Sequence, residues 1–276
     1  MSFIKTSSTL CLAALLGACS TPSPQSSSPP ASPPPAATTA SSASAAPAAA
    51  KPTQNLVDPA AVQALKDMGA TLQSLRRYDL SLDLSGERVL QDGQKLMHTA
   101  HADLNVAQPN RIRVTTATAT SRRVLTFDGK KVSLLYPGSN YYSQADFSGT
   151  VGELIQRLRT NYNIEFPAAD LFVWGTPAAP FSDLQSAMNA GQAVVLGKLC
   201  DQYAFRQPGI DWQIWLTTGP NPLPMRLVVT NLEDDARPQS ITQFHWNLKP
   251  TFQESAFNFV APRGATSVNM VPVKKQ

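Results

Sequence analysis

"YDLSLDLS", residues 78–85, decides the fold class. Tyr78, Leu80, Leu82 and Leu84 recur at every second position, with Asp79, Ser81, Asp83 and Ser85 between them. Strand side chains alternate between faces, so this is a half-buried β-strand with one apolar side. Downstream, "QDGQ" at 91–94 holds the Asp-Gly of a tight hairpin. The return strand sets Leu96, His98, Ala100, Ala102, Leu104 and Val106 on one face. A third strand runs through "RIRVTT", residues 111–116. "RRVLTFDGKKVSLLYPGSNYYSQ", residues 122–144, adds strand, Asp-Gly turn, strand, Pro-Gly turn and strand. Strands joined in this way, each to the next, make an antiparallel meander.

Upstream, Asp58-Pro59 starts a helix, because Asp caps free amides and Pro suits the first turn. Val62, Leu65, Met68, Leu72 and Leu75 follow at helical spacing. Residues 148–190 break the strand pattern. Thr150 and Glu153 have capping-box spacing ahead of Leu154, Ile155 and Leu158, and "FPAADLFVW" suits a short helix. Ser182 and Gln185 repeat that spacing before Met188, so a further helix is expected there. Strands are then expected near 192–198, 199–206, 211–217, 224–230 and 239–248. The expected fold is α+β: a curved antiparallel half-barrel of about eleven strands, closed by helices on its concave face.

"RQPGIDWQIWL", residues 206–216, carries two tryptophans of opposite phase. Trp212 shares its side with Ile214 and Leu216 and belongs to the concave interior. Trp215 lies in the polar phase, either roofed by a chain end or offered to an envelope partner as an anchor.

Residues 1–18 read as a signal peptide. Lys5 supplies the positive start, and the apolar run from Leu10 to Ala18 is too short to span a bilayer. Leu16-Gly17-Ala18-Cys19 resembles the lipobox of bacterial lipoproteins, which implies lipidation at Cys19. Ser20, where an aspartate favours inner-membrane retention in such proteins, implies the outer membrane. Residues 19–54 form a Ser/Pro/Ala-rich linker that cannot bury enough apolar surface to offset its ordering entropy. The folded domain is expected over 55–276. Cys11 leaves with the signal and Cys19 is lipidated, so Cys200 remains alone and reads as a small buried hydrophobe. A formal net charge of +4 does not suggest nucleic acid.

"CDQYAFRQPGIDWQIWL", "PLPMRLVVT", "FHWNL", "DPAAVQALKDMGATLQSL" and "FDGKKVSLLYPGSNYY" resemble a bacterial family of predicted periplasmic proteins across about residues 56–265. That family resembles the lipoprotein carrier and receptor LolA and LolB in architecture. The resemblance implies a half-barrel with an apolar cavity for acyl chains, and no established activity.

The chemistry of catalysis is thin. His98 and His101 lie three apart on one strand and face opposite ways, which excludes a shared metal site; His98 reads as a core histidine. No G-x-S-x-G elbow, phosphate loop or HExxH is present, and no cofactor is implied. Asp211 follows a turn and is expected to bond turn amides. Arg111, Arg113, Arg122, Arg123, Lys130 and Lys131 form a positive patch for lipid headgroups if their hairpins align, or a solvated strand surface.

The first functional expectation is therefore a non-catalytic module holding an acyl chain, lipid or lipoprotein segment. Its lining candidates are Leu80, Leu82, Leu96, Trp212, Ile214, Phe244 and Trp246, with Leu154, Leu158, Phe172 and Trp174 from the helical region. A filled core demands the same residues. The second expectation is a structural or sensory envelope protein working through Trp215; an enzyme is the third.

Overall fold

The computed structural model describes residues 56–273, and the expected signal, linker and Cys19 lie outside them. The chain begins with helix α1 (Pro59–Ser74), whose Asp58 side chain accepts from the Ala60 amide at 2.8 Å. Six strands follow: β1 (Arg77–Val89), β2 (Lys95–Ala107), β3 (Arg111–Ala117), β4 (Arg122–Phe127), β5 (Lys131–Tyr136) and β6 (Tyr141–Asp146). Helix α2 (Val151–Tyr162) starts with the Thr150/Glu153 capping box, and "ADLF" forms a single 3-10 turn at Ala169–Phe172. The second run is β7 (Ser186–Val195), β8 (Lys198–Gln207), β9 (Ile210–Thr217), β10 (Pro224–Asn231) and β11 (Gln239–Asn247). A two-residue β12 (Thr266–Ser267) lies parallel to β6, an addition to the eleven longer strands.

All twelve form one open sheet in the order β12-β6-β5-β4-β3-β2-β1-β11-β10-β9-β8-β7. Two meanders are joined where β1 pairs with β11, Leu80 opposite Trp246 and Leu82 opposite Phe244. From β6 to β7 a flat sheet would measure roughly 50 Å across at about 4.8 Å per strand. Two helices of this length cannot cover that width. The sheet instead curls, and one cluster takes Leu134 of β5, Phe127 of β4, Leu80 of β1, Phe244 of β11 and Phe205 of β8. α1 buries Leu65, Met68 and Leu72 in that cluster, and α2 buries Leu154, Ile155 and Leu158.

Several expectations are corrected. The segment from Ser182 is no helix. The Gln185 amide bonds the Arg206 carbonyl, and β7 starts at Ser186, earlier than expected, because β8 offers a pairing edge that outweighs local capping preference. His98 is exposed and Leu96 is 37 % exposed, although both keep the predicted phase. Their stretch of β2 runs past the helices. Asp211 bonds Arg206 through both carboxylate oxygens, at 2.6 and 2.7 Å, in place of turn amides.

Trp215 is neither open nor roofed by a chain end. It is 9 % exposed and packs with Val195, Cys200 and Met225, a cluster without residues from α1 or the C-terminal segment. Met225 is the extra residue of a β-bulge, and the Arg226 guanidinium stands 5.7 Å from the Trp215 ring centroid. The six basic residues do not form one patch. Arg123 takes the phase of Leu125, on the face opposite Arg122, and bonds the Glu165 carbonyl at 2.9 Å. Arg111 pairs with Glu254 and Lys131 with Asp146.

Candidate functional site

The inner face presents a pocket of about 210 Å³ between the 3-10 region and strands β9 and β10. Trp212, Ile210, Leu227 and Val229 form the strand side; Trp174, Asp170 and Pro180 form the other. Strand register explains the first group. Trp212 faces Val229, Ile214 faces Leu227 and Ile210 faces Asn231, so alternate residues of both strands share the wall.

An aromatic stack sets the pocket's back. Phe205 and Trp212 are cross-strand partners with centroids 4.2 Å apart, and Trp174 stacks on Trp212 at 6.2 Å. The Trp212 indole N–H donates to Gln207 Oε1 at 2.7 Å. Gln207 in turn donates to Asp183 Oδ1 at 2.6 Å and to the Pro180 carbonyl at 3.1 Å. One buried amide therefore ties the strand wall to the loop wall. Trp174 has no such tie. Its Nε1 is buried without an acceptor, and stacking and packing hold the ring. The loop is seated by α1, where Gly69 meets Gly175 backbone to backbone and Gln73 donates to the Trp174 carbonyl at 2.9 Å. Asp170 sits at the rim. Much of its residue surface is open, yet loss of hydration around the carboxyl holds it above the usual carboxylate range, with Arg159 opposing.

The lining candidates Leu80, Leu82, Leu154, Leu158, Phe172, Trp174, Trp212, Ile214 and Phe244 are all buried in the inner cluster, with Trp246 half-buried against it. Most of them fill the interior. Only Trp174 and Trp212 border this pocket; Leu96 stands apart at the exposed end of β2. Ile210, Leu227, Val229, Gln207, Asp170 and Pro180 complete the site and were missed from sequence, although "RLVVT" already carries Leu227 and Val229 in one phase.

A larger hollow, about 570 Å³, opens on the opposite face around Asp83, His101 and Gln243. Its charged groups answer one another. Asp83 Oδ1 lies 2.9 Å from His101 Nδ1 and Oδ2 lies 2.9 Å from His245 Nε2, while His101 Nε2 lies 3.2 Å from Asp103. The bond from His101 holds Asp83 below its ordinary range, and Asp83 holds His101 above the usual histidine range. No group of three or more metal-ligating side chains is placed to hold a metal among the described residues. The inner pocket has the apolar walls and buried aromatic rings typical of ligand sites, in a volume smaller than such sites usually have.

A family model described as "Predicted periplasmic protein (DUF2092)" matches residues 61–271. Among solved structures the chain is similar to LprF from Mycobacterium bovis, with 12% identity, 76% of this chain and 99% of that chain covered, and a TM-score of 0.43. It is similar to the lipoprotein LppX from Mycobacterium tuberculosis, with 12% identity, 71% and 98% coverage and a TM-score of 0.43. A LolA superfamily protein from Nitrosomonas europaea gives 9% identity, 72% and 97% coverage and a TM-score of 0.33. Comparison with curated proteins gives no match.

Proposed function

The chain belongs to the DUF2092 family of predicted periplasmic proteins, and on that premise we propose that its folded domain is a non-catalytic binding module for a hydrocarbon chain. The ligand is an acyl chain, a lipid or an acylated lipoprotein segment. The observation that carries this reading is the inner-face pocket of about 210 Å³, walled by Trp174, Trp212, Leu227 and Val229. Transfer of each methylene from water to such walls contributes about 0.8 kcal/mol. In this reading the two helices act as the cover of a half-barrel. Cys19 carries the lipid anchor at the outer membrane, and the linker lets the domain stand off from it.

The reading through an envelope protein partner loses its anchor, because Trp215 is buried. The test is native mass spectrometry of the chain purified from membranes in mild detergent. The expected spectrum contains protein carrying one non-covalent lipid, along with a triacylated mature N-terminus at Cys19. A lipid-free protein that also fails to take up added fatty acid contradicts the binding role.

A further inference from the structure

A second hollow of about 200 Å³ lies on the same inner face, lined by Leu84, Gly86, His98, Ala100, Ser240 and Thr242. Register sets the floors of the two side by side. Thr242 of β11 pairs with Leu84 of β1 on one side and Leu227 of β10 on the other, and Ser240 pairs with Gly86 and Val229. The floor therefore runs unbroken from Trp212 across β10, β11 and β1 to His98 on β2. Four strand spacings of about 4.8 Å make this path roughly 19 Å long. One leaflet of a bilayer's hydrocarbon core is about 15 Å thick, the reach of a single membrane acyl chain. Each hollow alone falls below the ~300 Å³ at which ligand sites begin, and joined they exceed it.

The two ends differ in charge. On the inner phases of β2, β1, β11, β10 and β9, one side chain carries a formal charge: Arg88, which follows Leu84 and Gly86 in phase. The acids of β1 and β2, namely Asp79, Asp83, Glu87 and Asp103, all lie on the opposite face. His98, paired with Gly86, stands diagonal to Arg88 on the inner face, within reach of a shared group. Its ring lies over Gly86, where an added Cβ would come within 2.9 Å of His98 Cε1. Among the described residues neither Arg88 nor His98 makes an ion pair. The Trp212 end has Asp170 at its rim instead.

We propose that this groove takes a single hydrocarbon chain with a terminal anion, the chain end at Trp212 and the anion at Arg88 and His98. A carboxylate and a phosphate share that chemistry: Arg88 offers a planar fork of donors and His98 a ring N–H. This inference rests on the hydrocarbon-binding reading above and adds the ligand's head group and direction.

The test compares palmitate, palmitoyl lysophosphatidate and neutral monopalmitoylglycerol on the full chain, below micellar concentrations, by calorimetry. Both anions are expected to bind about tenfold tighter than the neutral ester, the order of one charge-assisted contact. Arg88→Gln is expected to bring the anions down to the level of the neutral ester and leave the ester unchanged. His98→Gln gives a smaller loss of the same kind. The relative affinity of the two anions decides between the sources. Equal binding of all three, unaffected by Arg88→Gln, overturns the head-group assignment while sparing the hydrocarbon site. Binding of none removes both. Arg88 and His98 are exposed, and an unchanged melting temperature verifies that each variant folds.

Discussion

Gly69 of α1 and Gly175, the residue after Trp174, meet with no side chain between them. A Cβ on Gly69 would lie 2.5 Å from the Gly175 nitrogen and 2.8 Å from its Cα. Gly175 has φ +80°, a conformation that L side chains rarely adopt. This contact sets the height of Trp174 above Trp212. Alanine is the better helix former by about 1 kcal/mol, so propensity alone predicts that Gly69→Ala stabilises. The contact predicts the opposite sign. Both obstructing atoms are backbone, and overpacking of this kind costs about 1–3 kcal/mol. Thermal unfolding of Gly69→Ala is expected to show a lower midpoint together with altered tryptophan emission; a raised midpoint refutes the close contact.

Gln207 is the hinge pin between the strand wall and the loop wall, since its one amide serves Trp212, Asp183 and Pro180. Gln207→Leu keeps much of the volume but leaves the buried Trp212 N–H without an acceptor. The expected loss is about 1–3 kcal/mol in denaturant unfolding. Gln207→Glu keeps the acceptor and brings a charge next to Asp183, and its loss is expected to grow as pH rises through the carboxylate range. Equal stability of wild type and Gln207→Leu contradicts the tie.

Much of this was legible in the sequence. "YDLSLDLS" gave the phase of β1, and the Asp-Gly pairs gave the hairpins. What stayed hidden depends on partners remote in sequence. The capping spacing at Ser182 lost to an edge offered by β8. Leu96 and His98 obey the same alternation as Leu104, but a period of two says which face a residue takes and not how far the helices reach. Trp215 reads as roofed by a chain end or offered to a partner, whereas the bulge at Met225 and the Arg226 side chain, neither visible in local spacing, supply its cover. The groove was invisible for a similar reason: its floor is assembled across five strands by register, and Arg88 gains meaning only as the lone charge on that floor.

Asp83 and His101 define a pH window on the outer face. The Asp83 carboxyl is held low, so its contribution is present above the ordinary carboxylate value and is lost as pH falls through the depressed one. His101 is held high, so its contribution is complete below the ordinary histidine value and fades as pH rises through the elevated one. Together they act fully between about pH 4 and 6.5. Both side chains are half-exposed, which keeps the effect on stability small. Titration of the His101 ring by NMR is the sensitive readout. Its midpoint is expected to fall in Asp83→Asn; an unchanged midpoint removes the pairing.

Cys200 is fully buried beside Trp215, and burial pushes its thiol up from the ordinary value. A thiol is reactive only as the thiolate. Native protein is expected to resist maleimide and to react at this position after unfolding in denaturant. Rapid labelling of the native chain contradicts the packing around Trp215.

Quenching of tryptophan emission by a fatty acid brominated near its methyl end tests the inner-face groove most directly. Saturable quenching at one chain per protein is expected, strongly reduced in the double variant Trp174→Phe/Trp212→Phe and unchanged in Trp215→Phe. Quenching that never saturates, or that the double variant leaves intact, contradicts a hydrocarbon chain lying in the pocket of Trp174 and Trp212.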